Sequence, residues 1–301
     1  MALDTNHAGS SLPSLSATLE LLKPITWFAP MWAYGCGVVS GGGSVSDHID
    51  TLIVGVLLAG PLVCGTSQAV NDWYDRHVDA INEPQRPIPS GRIPGAWGLY
   101  IAIIWTAVSL AAATLLGQTG FVAAIVGLAL AWAYSAPPVR LKRNGWWGNT
   151  AVACCYEGLP WITGAAIMAG SLPSVQTLVI AALYSFGAHG IMTLNDFKAI
   201  EGDKRMGVRS LPVQLGPEGA AWAASLIMLL PQLGVVGLLW SWGASWHPFA
   251  VAGLSVVQAA MMARFVRAPV ARATWLSALG VNFYVAGMMI SAFAVRGLGA
   301  P

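Results

Sequence analysis

Residues 52–79 read LIVGVLLAGPLVCGTSQAVNDWYDRHVD: twenty positions through Asn71 without a charged side chain, followed at once by Asp72, Asp75 and Asp79. An apolar run of about 20 residues is the length that crosses a hydrocarbon core as a helix. The acids that follow it therefore stand at a membrane face. The same plan recurs downstream, where the apolar stretch 174–194 gives way to NDFKAIEGDKR, residues 195–205. Each acid motif opens with Asn-Asp, 124 positions apart, which suggests two related halves.

The rest of the chain fits around these two runs. Of 301 residues, 56% are hydrophobic and only 9% charged, against about 25% in an ordinary soluble domain. With 15 Lys and Arg and 13 Asp and Glu, the chain cannot cover a water-facing surface, and mean hydropathy is +0.63. The lipid bilayer must be its main solvent. A formal charge of +2 gives no argument for nucleic acid.

The expected fold is an all-α integral membrane protein. About nine spans can be laid down, with cores near 26–42, 52–71, 97–116, 119–136, 147–169, 174–194, 219–241, 247–264 and 274–294. None alternates as a barrel strand would. Lys and Arg gather after spans two, four, six and eight, and the loops after spans one, three, five and seven hold none, which predicts a cytoplasmic N-terminus. Residues 1–25 read as a polar N-terminal segment without a secretory signal, 26–295 as one transmembrane domain, and 296–301 as a short tail. Cys36, Cys64, Cys154 and Cys155 lack zinc or disulfide spacing and read as apolar packing residues. Pro24, Pro30, Pro61, Pro160 and Pro231 are expected to kink or end helices.

On a continuous helix Asp75 and Asp79 fall about 60° and about 20° from Asp72, and Asp203 about 20° from Asp196, so each set shares a face. Crowded carboxylates at a bilayer face repel one another and call for a cation. Oxygen donors without sulfur suit a hard ion such as Mg²⁺, which takes one or two carboxylates plus phosphate oxygens. Nearby Arg86, Arg92, Arg140, Lys142, Lys204 and Arg205 could grip a phosphate, although the positive-inside rule alone also places them. A plainer reading makes the acids solvated loop residues paired with Arg76, Lys198 and Lys204, but it leaves the shared face and the repetition unexplained. His189, seven before Asp196, should point to the carboxylate side. It could ligate a macrocycle's magnesium or simply satisfy a neighbouring helix. Glu157, costly in lipid, should face a cavity or pair with a base.

Two stretches carry a resemblance: NDWYDRHVDAINEPQRPIPSGR at 71–92 and NDFKAIEGDKRMGVRSLPVQLG at 195–216. They resemble the chlorophyll and bacteriochlorophyll synthases of the intramembrane aromatic-prenyltransferase (UbiA) superfamily. The continuation VDAINEPQRPIPSG narrows the likeness to the tetrapyrrole branch, as does Ala199, which stands where the superfamily often has the first acid of DxxxD. The resemblance implies a UbiA-type bundle around a central cavity in the cell inner membrane. It implies Mg²⁺-dependent transfer of a geranylgeranyl or phytyl group from its diphosphate to the propionate of bacteriochlorophyllide a. Asp72, Asp75, Asp79, Asp196 and Asp203 would be the ion ligands and catalytic acids. Asn71, Arg86, Arg92, Tyr134, Arg140, Lys142, Asn195, Lys204 and Arg205 would bind substrate. Association with other pigment-biosynthesis or photosynthetic membrane proteins is compatible with that role. The competing readings are a prenyltransferase for a quinone precursor or haem, and a non-enzymatic pigment-binding or transport protein.

Overall fold

The computed structural model describes residues 12–298, and these are helical almost throughout; among them the sole β pairing is an isolated bridge, Asn144 to Arg209. The elements are α1 (Leu15–Leu22), α2 (Phe28–Ser40), α3 (Ser46–Asn82), α4 (Trp97–Ala113), α5 (Gly117–Ser135), α6 (Gly145–Ala169), α7 (Val175–Asp196), α8 (Ile200–Met206), α9 (Leu211–Ser241), α10 (His247–Val266) and α11 (Pro269–Leu298). Among the described residues seven helical stretches are long and apolar enough to cross a membrane, against about nine expected. Two features account for the difference. At 13 residues, α2 is short for a span, and α4 and α5 form one 39-residue stretch broken at Gly117, whose φ of +68° a side chain would strain.

Proline shapes these helices from within. Pro61 and Pro160 do not end a helix. Pro61 lies inside a π-helical segment of α3, Leu58–Cys64, and Pro160 follows one in α6, Cys154–Gly158. A widened turn accommodates the missing N–H and is a usual place for a helix to kink. Pro231 stays inside α9, buried by its neighbours. The true break in α9 is Gly216, at φ 72°.

The main core joins α2, α6, α7, α9, α10 and α11. Trp161 stacks on Tyr184 at 5.7 Å, Tyr184 meets Tyr284 edge-on at 5.2 Å, and each buried polar tip finds a partner: Trp161 Nε1 donates to Ser40 Oγ (3.0 Å), and Tyr184 Oη pairs with Ser291 Oγ (3.0 Å). Farther along, Gln232 Nε2 donates to Gln258 Oε1 (2.6 Å) and Gln258 Nε2 to the Gly280 carbonyl (2.9 Å), which a π-helical segment of α11, Leu276–Gly280, leaves available. Interhelical amide pairs of this kind are a usual adhesive between membrane helices.

Close crossing of α2 and α6 depends on glycine. A Cβ on Gly164 would stand 2.6 Å from the Tyr34 carbonyl oxygen, and one on Gly37 would overlap the Trp161 carbonyl. Gly37→Leu is therefore expected to cost at least the 1–3 kcal/mol typical of overpacking and to lower the melting temperature of detergent-solubilised protein. Gly237→Leu, where nothing lies within 4 Å, should leave it unchanged.

Residues 1–11 and 299–301 lie outside the described residues, so the polar-segment and tail expectations are met by structure only at 12–25 and 296–298. There the N-terminal segment is not a detached polar stretch. Ser14 caps α1, accepting from the Ala17 N–H at 3.2 Å, and Leu21 and Leu22 are buried with Ala69, Val70 and Ile101 of α3 and α4. Ala17, Leu21 and Leu22 make the buried side of α1, whereas Leu15 and Leu19 are exposed. Arg296 continues α11. Cys36 and Cys64 are buried as expected, but Cys154 is exposed, because α6 turns that side outward.

Candidate active site

One chamber, of about 590 Å³, receives the ends of α3, α5 and α7. Asn71, Asp75 and Asp79 line it from α3; Asp196 from the last residue of α7 and Asp203 from α8 line it from the other side; Tyr134, Arg86, Arg140 and Lys142 complete the wall. The two acid motifs, 124 residues apart in the chain, thus share a cavity.

The basic groups reach the acids through defined local structure. Arg140, at φ 41°, adopts a left-handed conformation uncommon for a side-chain-bearing residue, and a tight turn Leu141–Arg143 follows. That geometry brings Lys142 Nζ to 2.6 Å from Asp75 Oδ2 and Arg140 Nη2 to 3.4 Å from Asp75 Oδ1. The same turn is tied to the segment after α8: Gly145 N–H donates to the Arg209 carbonyl and Arg209 N–H to that of Arg143, both at 2.8 Å. Across the chamber Arg86 Nη1 lies 2.9 Å from Asp79 Oδ2, and its other terminal nitrogen meets Glu83.

Asp72 departs from the expectation that it joins the other two on the chamber wall. Asn71, Asp75 and Asp79, four residues and about 40° apart at each step, form the stripe that lines the chamber, and Asp72, although within about 20° of Asp79 by helical period, lies off it because it sits two turns earlier on α3, where it meets Lys23 at the end of α1. It is 2% exposed and held by Lys23 Nζ at 2.6 Å, with Arg86 at 3.4 Å bridging it to Asp79. Lys23 closes α1 in a left-handed conformation that aims it at α3. Asn71 takes the place of Asp72 on the wall; its Nδ2 donates to Ser135 Oγ at 3.2 Å, which directs the amide oxygen elsewhere.

Four of the other expected groups stay outside the chamber lining. Arg92 makes a two-pronged pair with Glu20 of α1 at 2.5 and 2.7 Å, Lys204 pairs with Glu201 one turn before it, Arg205 is exposed, and Asn195 points outward, one position off the Asp196 face. Arg92→Ala is accordingly expected to change turnover less than about threefold, since Arg92 is exposed, paired with Glu20 and off the chamber wall; a steady-state assay in membranes checks it, and a thirtyfold loss would return Arg92 to the site. His189 is buried without a hydrogen bond at either ring nitrogen, tilted against Trp146 at 5.5 Å. Glu157 neither lines the chamber nor pairs with a base: it is buried in the π-helical segment of α6, and its Oε2 has no partner. The widened turn rotates it away from α3 and α5.

Asn149 is the residue the sequence argument overlooks. From the first turns of α6 its Nδ2 lies 3.2 Å from both Asp196 Oδ2 and Thr193 Oγ1, fixing the carboxylate's orientation. A lone amide inside an apolar run was the available signal. Lys198 and Ser210 also reach the lining.

Burial depresses the Lys142 ammonium below its usual pKa, with Asp75 opposing the effect. Burial also raises the Asp203 carboxyl above the ordinary carboxylate range. Among the described residues no three carboxylates, imidazoles or thiols close on one point. A divalent ion here would have one or two carboxylates from the protein and its remaining ligands from phosphate and water, the usual habit of Mg²⁺. The donor set on the walls, oxygen throughout, fits such an ion.

Fold and site together define a multi-pass helical membrane protein with a polar, two-sided acid chamber at one end of the bundle. The chain belongs to the UbiA prenyltransferase family, whose model matches residues 25–291. It is 56% identical to the bacteriochlorophyll synthase 33 kDa chain of Cereibacter sphaeroides over 99% of both proteins. Its fold is shared by a digeranylgeranylglyceryl phosphate synthase (TM-score 0.70, 20% identity, covering 93% of this chain and 98% of that one) and by a UbiA homolog from Archaeoglobus fulgidus solved with GPP and Mg²⁺ (TM-score 0.64, 22% identity, 90% and 99%).

Proposed function

We propose that this chain is a bacteriochlorophyll synthase, transferring a geranylgeranyl or phytyl group from its diphosphate to the propionate of bacteriochlorophyllide a. The observation that carries the reading is the convergence of both acid motifs, with Arg86, Arg140 and Lys142 between them, on one chamber. The identity to the Cereibacter sphaeroides enzyme along the whole chain supports the choice of acceptor. We place the protein in the cell inner membrane by its likeness to the bacteriochlorophyll synthases, and its N-terminus on the cytoplasmic side by the distribution of Lys and Arg.

In this reading the allylic carbon–oxygen bond breaks, diphosphate leaves with the bonding pair, and a propionate oxygen closes on the carbon. Mg²⁺, when bound, supplies neutralisation of the charge that develops on the leaving diphosphate. Asp75, Asp79, Asp196 and Asp203, with the Asn71 amide oxygen, would hold it. Without substrate Asp75 and Asp79 are paired with the protein's own cations and Asp196 is held by Asn149; with donor bound, Arg86, Arg140 and Lys142 would turn their N–H groups to phosphate oxygens, leaving Asp75 and Asp79 to face the ion beside Asp196 and Asp203. Asp72 acts indirectly, by holding Arg86 and Lys23 in place. The acceptor needs no strong base, since a carboxylic acid of pKa about 4 is already ionised near neutrality. What the chamber must do is align it and keep water from the cation.

The test offers labelled geranylgeranyl diphosphate with bacteriochlorophyllide a, chlorophyllide a, a quinone precursor or haem to protein in lipid nanodiscs. Bacteriochlorophyllide is expected to give the fastest ester formation with equimolar diphosphate release. Faster prenylation of another acceptor would replace the assignment, and pigment binding without diphosphate release would favour a carrier.

A further inference from the structure

The first helix, α1, carries apolar surface that the bundle leaves uncovered. With Leu15 at zero on a helical wheel, Ala17, Leu21 and Leu22 fall between about 200° and about 340°, Leu19 at about 40°, Ser16 at about 100° and Glu20 at about 140°. The first three are buried against α3 and α4. Leu15 and Leu19 prolong the same apolar arc, yet both are exposed, Leu15 by 76%. Leu12 just before the helix and Ile25 just after it are exposed as well. Ser16 and Glu20 make its polar edge.

The level at which α1 docks decides what covers that arc. Its buried residues meet Ala69 and Val70, the last apolar positions of α3 before Asn71, and Lys23 at its end reaches Asp72. Trp27, Tyr74, Trp97, Trp105 and Trp132 pack around the same contact, and Trp27 Nε1 donates to the Leu22 carbonyl at 2.8 Å. A girdle of Trp and Tyr where an apolar run gives way to acids marks a membrane–water boundary. A helix at that depth, apolar over most of its circumference and polar along one edge, lies in the bilayer surface.

The same helix ends on the ionic contacts that lead to the chamber. Lys23 Nζ shares Asp72 Oδ1 with Arg86, whose Nη1 also meets Asp79 on the chamber wall. We infer that α1 is an interfacial helix whose Leu12, Leu15, Leu19 and Ile25 side chains sit in the headgroup–acyl boundary of the leaflet on the acid side, and that this lipid seat holds Lys23 on Asp72 and so keeps Arg86 at the chamber. Drawing α1 off its seat removes Lys23 from Asp72; that buried carboxylate then takes Arg86 as its cation and withdraws the guanidinium from the donor's phosphate. The coupling rests on the prenyl diphosphate donor proposed above, whereas the seat does not.

The test uses protein in lipid nanodiscs with the two less buried cysteines removed (Cys154→Ala, Cys155→Ala) and a nitroxide label on Leu15→Cys, Leu19→Cys or Ser16→Cys. Labels at positions 15 and 19 are expected to collide with oxygen, which concentrates in lipid, at least about threefold more, relative to a water-borne nickel chelate, than the label at position 16. Water-like values at all three overturn the seat. Shielding from both reagents overturns it in favour of a protein cover, which the mass of the particle would reveal. The coupling is read from the dissociation constant of geranylgeranyl thiolodiphosphate without acceptor. Leu15→Ser with Leu19→Ser should weaken it about tenfold with kcat for ester formation held within about threefold, and Leu15→Met with Leu19→Met should restore it. Lys23→Met should give the same loss with the labels still at lipid depth. Unchanged affinity in both overturns the coupling. Should the serine pair not fold, Lys23→Met decides the coupling and the label depths the seat. If wild type made no pigment ester while depth and affinity followed this pattern, the acceptor assignment would fall and the role of α1 stand.

Discussion

Asp75→Asn and Asp196→Asn are each expected to lower kcat/KM for the prenyl donor by about 10²–10³-fold, the loss seen when one preorganised electrostatic group is removed from a charge-developing reaction. The two side chains come from α3 and α7 and face the same chamber. Asparagine keeps shape and a carbonyl oxygen while deleting the charge. At position 75 the change also strips the partly buried Lys142 of its counter-ion at 2.6 Å, which lowers stability. Thermal melting of each variant in detergent must therefore accompany the assay. Asp72→Asn is the contrast: its carboxylate is turned to Lys23 and off the wall, so its effect should be about tenfold and relieved in part by Lys23→Met, which removes the cation left unpaired. Equal damage at 72 and 75 would mean that the stripe assignment is wrong. A double-mutant cycle between 75 and 196 should show the non-additivity of residues that serve one ion.

Chelation of divalent cations is expected to bring diphosphate release to background, with Mg²⁺ restoring it and K⁺ at matched ionic strength failing to. The walls carry five carboxylates and four cationic side chains, and among the described residues no three acidic, imidazole or thiol groups gather into a self-sufficient cage. Ion and donor should thus bind together: the affinity of a thiolodiphosphate analogue, measured by calorimetry, should fall at least tenfold without Mg²⁺, and Mg²⁺ alone should bind weakly. The pH response has a definite sign. Asp203 keeps its proton to higher pH than an ordinary carboxyl because it is buried, and an ion must expel that proton to bind there. Mg²⁺ affinity in the presence of analogue should drop as pH falls through the raised pKa, with proton release on binding. Asp203→Asn should flatten this dependence. Tight Mg²⁺ binding in the absence of donor would contradict the shared-ligand arrangement.

Much of this was legible in the sequence because it is local. Hydropathy over about 20 residues fixes which stretches enter lipid, and a helical period fixes which positions share a face, so the apolar run 52–71 and the acids after it announce both the fold class and one end of the site. Their repetition at 195–203 announces the other. The number of spans turns on geometry that hydropathy does not carry, the Gly117 break between α4 and α5 and the short α2.

Tertiary structure decided which of those groups meet. Asp72 and Asp75 differ by about 60° on one helix, too little for periodicity to sort them. Their fates are set by partners 49 and 67 residues away, Lys23 on the first and Lys142 on the second. Asn149 reaches Asp196 across 47 residues. Such meetings depend on how helices cross, and helix crossing is fixed by the packing of whole faces, with glycines such as Gly37 and Gly164 admitting neighbouring backbones, a property that no single stretch of sequence contains.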